Sequence, residues 1–89
     1  MNRTILSQSL SFKDWLQHKI GYQFRTSKDV ESRLKRCRKY TDIEAEDDIE
    51  KLLFEMSQNP DFQKLKSPVK SQLRKSLRLY KQYQEEKNS

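Results

Sequence analysis

Two side chains in this 89-residue sequence have the reactivity that covalent catalysis draws on, and each occurs once: His18 and Cys37. A nucleophile and its base must lie within hydrogen-bond reach, with a third group to orient the base. Cys37 follows Val30 and Leu34 at the i, i+4, i+7 spacing of one helix face, which reads as a small buried thiol on an apolar stripe. His18 falls near the end of a predicted helix, where partial positive charge complements the helix dipole. Glu44, Glu46, Asp47, Asp48 and Glu50 form an acidic cluster that could ligate a divalent cation. It lacks the alternating ligands and central glycine of an EF-hand loop. A solvated face, or a partner for basic helices in the same chain, explains it better. With one glycine in the chain there is no GxxxxGK[ST] or GxGxxG phosphate loop. The expectation is a protein that is not an enzyme and takes no cofactor or metal.

Basic side chains carry the stronger pattern. Lys70, Arg74, Arg78 and Lys81 recur at i, i+4, i+8 and i+11, a continuous stripe on one helix over about 16 Å at ~1.5 Å per residue. No acidic residue occurs between Lys64 and Lys81. Arg33, Arg36 and Lys39 lie on an earlier predicted helix and extend the patch if the two helices are neighbours. Arrays of Lys and Arg at this spacing suit the phosphates of a nucleic-acid backbone, the main source of sequence-independent affinity. The candidate DNA contacts are therefore Arg33, Arg36, Lys39, Lys70, Arg74, Arg78 and Lys81. The aromatic residues Phe12, Trp15, Tyr80 and Tyr83 read as core rather than as base-stacking platforms.

The elements that must position these residues follow from periodicity. Ser11 opens a first helix with Asp14 at the capping-box position, and Phe12, Trp15, Leu16 and Ile20 form its buried stripe. Gly21 is the expected left-handed stop. A second helix, capped within Thr26–Asp29, runs to about Tyr40 with Val30, Leu34 and Cys37 inward. Between Asp42 and Glu55 seven acidic residues face only Lys51, and Ala45, Ile49, Leu52, Leu53 and Met56 keep the period of a third helix. Asn59-Pro60 ends it and starts a short turn in which Phe62 and Leu65 plug the core's edge. Ser67 is expected to cap a fourth helix, with Pro68 first inside it. Val69, Leu73, Ser76, Leu77, Tyr80 and Tyr83 line its inner side. The predicted architecture is all-α: a bundle of four main helices over residues 11–84, with an arm at 1–10 and a frayed tail at 85–89.

Composition sets the bounds. Eighty-nine residues support one domain, and 33% apolar against 36% charged residues makes its core thin. The net charge of +6 favours an anionic partner. A single cysteine excludes an internal disulfide and suits a reducing cytoplasm. No apolar run approaches the ~20 residues of a membrane span, and MNRTILSQSL lacks the apolar stretch of a signal peptide. A cytoplasmic protein with no membrane partner is expected.

Taken in order, Phe12-x-x-Trp15-Leu16, Thr26-x-x-x-Val30-x-x-x-Leu34, Asp48-Ile49-x-x-Leu52-Leu53 and Ser71-Gln72-Leu73-Arg74-x-x-Leu77-Arg78-x-Tyr80-x-x-Tyr83 cover about residues 11–83. This succession resembles the amino-terminal core-binding (SAM-like) domain of tyrosine recombinases and phage integrases. The resemblance implies a bundle of about four helices that grips duplex DNA beside a separate catalytic domain, with contacts from the second and fourth helices. The chain departs from that family at Val30, a position commonly aromatic there. The catalytic arginines, His-x-x-Arg and nucleophilic tyrosine of the family are absent, so cutting or joining DNA is not expected of these residues.

The function expected is a non-enzymatic DNA-binding module of integrase-like or mobile-element type, with weak sequence preference. The alternative is a protein-interaction adaptor or small homo-oligomer. It rests on Phe54 and Leu79, which helical wheels leave off the apolar stripes, and exposed aromatic residues can anchor interfaces.

Overall fold

The computed structural model describes residues 10–88. The arm at 1–10 thus lies outside the described residues except for Leu10. Among the described residues the fold is all-α, with helices and no strand.

The first helix, α1, spans Phe12–Trp15, and the Ser11 hydroxyl accepts from the Asp14 N–H at 3.1 Å, the expected cap. It does not continue as a regular α-helix. Leu16–Ile20 widen into a π-helical turn, closed by Gly21 at φ 88° and ψ 20°. The Gly21 and Tyr22 amides both donate to the Leu16 carbonyl. The left-handed stop is as anticipated, since only glycine adopts that φ without a Cβ clash.

The second helix, α2, runs Phe24–Cys37. It begins ahead of the predicted Thr26–Asp29 cap because Gln23 is already extended and serves as the N-cap, without a side-chain hydrogen bond. Ser27 is buried inside the helix and returns its hydroxyl to the Gln23 carbonyl at 3.0 Å, so it satisfies itself locally instead of capping. The helix ends at Cys37, and two tight turns carry the chain through Lys39 and Tyr40.

The acidic segment divides. Ile43–Ala45 form one 3₁₀ turn, the chain extends at Glu46, and α3 covers Ile49–Gln58. The single third helix expected on the period of Ala45, Ile49, Leu52, Leu53 and Met56 is thereby corrected. Asp48 is the real cap, its carboxylate accepting from the Glu50 N–H at 2.9 Å and the Lys51 N–H at 3.5 Å. Ala45 is exposed and Ile43 is buried in its place. Asn59 then caps a one-turn helix, α4 (Pro60–Gln63), whose Phe62 is 1% exposed, the plug expected of it.

The last helix, α5, is Ser67–Lys87. Lys66, not Ser67, is its N-cap residue, and Ser67 and Pro68 occupy the first turn, where missing amide partners cost nothing. It extends past the predicted end at Gln84, and the tail expected to fray is helical to Lys87. There the Trp15 indole N–H donates to Glu86 at 3.0 Å.

α5 is the axis of the molecule. α2 lies along it, while α1 and α3 pack on it elsewhere and α4 braces α3. Leu16, Leu52, Met56, Phe62, Leu73 and Leu77 form the innermost layer, and Phe12, Trp15, Tyr80 and Tyr83 pack as one aromatic cluster with centroids 5.3–6.1 Å apart. The Tyr83 hydroxyl donates to the Leu10 carbonyl at 2.6 Å. Burying rings of this size, each worth several kcal/mol on truncation, compensates for the thin apolar composition.

Candidate nucleic-acid interface

Helical spacing distributes charge around α2 and α5, and neighbouring elements then decide which charges stay available. Arg33 projects from the flank of α2 that faces α5 and lines a shallow groove with Tyr22, Thr26, Gln72 and Lys75. Arg36 is exposed one turn further along α2. Lys39 is exposed in the turn that follows and borders a depression with Arg38 and Asp42. On α5, the Lys70 ammonium and Arg74 guanidinium sit 6.0 and 5.6 Å from the Phe62 ring centroid. Tyr40 packs edge-on against the same ring, its centroid 5.7 Å away. Phe62 thus brings Lys70 and Arg74 of α5 beside Tyr40, in the turn that follows α2. Among the described residues, none of Arg33, Arg36, Lys39, Lys70 and Arg74 is in an ion pair.

The remaining two members of the predicted stripe are placed differently. Arg78 pairs with Glu50 of α3 at 3.4 Å, both side chains well exposed. Lys81 is only 9% exposed, and its ammonium donates to the Ile43 carbonyl at 2.8 Å. It is a structural tie between α5 and the 3₁₀ turn, which removes it as a phosphate contact. The long apolar stem lies in the core and only the head finds a polar partner.

Glu44 completes that tie. Its carboxylate accepts from Arg38 at 3.1 Å, the Tyr80 hydroxyl at 3.1 Å and the Gln84 amide at 3.3 Å. Partial burial pushes its carboxyl upward, but these three hydrogen bonds and the Arg38 charge outweigh burial and hold it below the usual carboxylate value. Part of the acidic cluster therefore pairs within the molecule. Among the described residues no group of three or more His, Cys, Asp or Glu side chains is arranged to hold a metal ion.

Cys37 is fully buried, its thiol donating to the Leu73 carbonyl at 3.3 Å. Burial pushes the thiol up to about 11 against the lowering effect of Arg38 and Arg36, so it stays protonated and unreactive at neutral pH. His18 is exposed on the π turn of another element.

Of the interface candidates, Phe54 is 65% exposed as anticipated. Leu79 is 9% exposed and belongs to the core, which corrects its assignment to an interface. The wheel assumed burial along one stripe, whereas α5 is covered on several sides. Two residues escaped the sequence reading. Lys75 faces Arg33 across the groove, and its place beside Arg74 was the available signal. Phe24, which lies between Gly21 and the expected Thr26–Asp29 cap, is 55% exposed with two ammonium groups against its ring.

Among the described residues no helix is long and apolar enough to cross a membrane. No protein-family model, curated protein or solved structure matches the chain.

Proposed function

We propose that this chain is a non-enzymatic DNA-binding module that grips the phosphate backbone of duplex DNA through α2 and the first half of α5. The observation that carries the reading is the segregation of charge. Arg33, Arg36, Lys39, Lys70 and Arg74 have no ion pair among the described residues, while seven carboxylates fall between Asp42 and Glu55 and α2 carries only Asp29 and Glu31. The resemblance to recombinase core-binding domains assigns contact to the same two helices and suggests a mobile-element setting in the cytoplasm. Lys75, across the groove from Arg33, joins the set; Arg78 and Lys81 leave it.

The test is a salt titration of duplex binding. Replacing Arg36 and Arg74 together with Ala is expected to weaken binding and to lower the log–log salt slope by about one per lost phosphate contact. An unchanged affinity and slope, with helical content intact, rejects the assignment. Binding should vary little with DNA sequence, because backbone contacts carry no base information.

A protein-interaction role is the second reading, favoured by the exposed ring of Phe54, although Leu79, its expected companion, is buried.

A further inference from the structure

The two large apolar side chains left exposed among the described residues are Phe24 at 55% and Phe54 at 65%. Their surroundings are opposite in charge. At the start of α2, the Lys13 and Lys28 ammonium groups stand 5.0 and 5.5 Å from the Phe24 ring centroid, and Arg25 is exposed beside it. On α3, Phe54 shares a shallow depression with Glu46, Glu50, Glu55 and Lys51, three carboxylates against one ammonium. α2 lies along α5, and α3 packs on α5 and α4 instead of along α2. The two patches share no residue and sit on helices that do not lie along each other.

We propose that the chain self-associates head to tail, the acidic Phe54 patch of one copy seating on the basic Phe24 patch of the next. A contact between two Phe54 patches would press carboxylate rims together, and one between two Phe24 patches would do the same with ammonium groups. Like charges brought face to face oppose association, whereas the mixed pairing aligns an apolar centre with complementary rims. Lys13 and Lys28 of one copy then reach the carboxylates of its neighbour, with Glu50 shared between that contact and Arg78. A pairing of different patches leaves one of each kind free at the ends, so it grows instead of closing. The interface centres on one ring from each side and belongs to the weak class, sensitive to salt and concentration. The proposal does not depend on nucleic-acid binding.

Sedimentation of DNA-free protein at low ionic strength, over micromolar to millimolar concentration, tests it. The wild-type mass is expected to rise with concentration past the dimer and to fall back on adding salt. Phe24→Asp and Phe54→Lys each neutralise their own patch with a residue their helical positions accept. Each is expected to need at least about tenfold higher concentration to self-associate. An equimolar mixture of the two retains one good patch of each kind and is expected to form a 1:1 heterodimer that grows no further. Should either variant lose helical content, Phe24→Ala and Phe54→Ala replace the pair in the same mixing experiment. Wild-type protein that stays monomeric or halts at a closed dimer overturns the proposal. So does a single variant that assembles like the wild type, or a mixture that remains monomeric.

Discussion

In its second half, α5 gives its polar groups to neighbours: Arg78 to Glu50, Lys81 to the Ile43 carbonyl, Tyr80 and Gln84 to Glu44. In its first half, Lys70 and Arg74 rest over Phe62 and Lys75 faces the groove under Arg33, with no ion pair among the described residues. The helix itself does not distinguish these halves, since one continuous stripe contains Lys70, Arg74, Arg78 and Lys81. What packs against each half distinguishes them. The 3₁₀ turn and the start of α3 bring carboxylates and a free carbonyl to the second half, whereas the buried ring of α4 meets the first. A ring face attracts a cation without neutralising it, so its charge stays available to an outside anion.

The two halves of α5 differ most at Lys81. Lys81→Met keeps the apolar stem but strands the Ile43 carbonyl, and loss of a charge-assisted hydrogen bond of this kind costs about 2 kcal/mol. For a domain of this size that corresponds to a fall in Tm of roughly 8–16 °C. Lys70→Met, at the free end of the same stripe, is expected to stay within about 0.5 kcal/mol of wild type. Thermal unfolding of the two variants side by side is the measurement. Equal losses would mean that the two halves are not built differently.

Glu44 sharpens the same contrast through pH. Burial raises its folded-state carboxyl, but hydrogen bonds from Arg38, Tyr80 and Gln84 and the Arg38 charge favour the charged form and hold it below the usual carboxylate value. The unfolded chain then binds more protons than the folded one in the acid range. The stabilisation is fully present above the unfolded value and is lost as pH falls through the folded value. Glu44→Gln is expected to lower stability at neutral pH by under about 1 kcal/mol, discounted because the side chain is half exposed. The difference from wild type should shrink progressively below pH 4.5. A constant gap across that range would show that proton binding at Glu44 is not linked to folding.

The split along α5 also explains which features could be read from the sequence. The apolar stripes of α1, α2 and α5, the glycine stop, the Asn59-Pro60 break and the buried Cys37 all follow from local spacing, and the structure contains them. Lys81 carried no local signal, because its partner lies 38 positions away and a lysine stem looks like any solvated side chain until something covers it. Leu79 was misplaced for a related reason: a wheel drawn for one-sided burial cannot represent a helix packed by α1, α2 and α3 together. The acidic segment misled in the other direction. Ala45, Ile49, Leu52 and Met56 keep helical period through residues the chain spends partly extended, and only the Asp48 cap, with two amides in its grip, fixes the true start. Of the candidate interface, Arg33, Arg36, Lys39, Lys70 and Arg74 were legible as charges. Their lack of ion-pair partners among the described residues was not, since that depends on where distant carboxylates settle.

Arg78 marks the boundary between the halves, and the smallest effect is expected there. Its pair with Glu50 is long for a charge-assisted bond, at 3.4 Å, and both side chains are open to water at 54% and 73%. Solvent screening and side-chain entropy consume most of such an attraction, so Arg78→Ala should change stability by less than about 0.5 kcal/mol. With Glu50 beside it, the guanidinium has little net field to offer a phosphate, and duplex affinity and salt slope should match the wild type. Glu50→Gln then makes the sharper companion. Releasing Arg78 while removing a repulsive carboxylate is expected to raise the salt slope towards one additional contact. Should Arg78→Ala instead lower the slope by a full unit, the pair with Glu50 yields to DNA, and the charge-bearing surface extends along the stripe as far as Arg78.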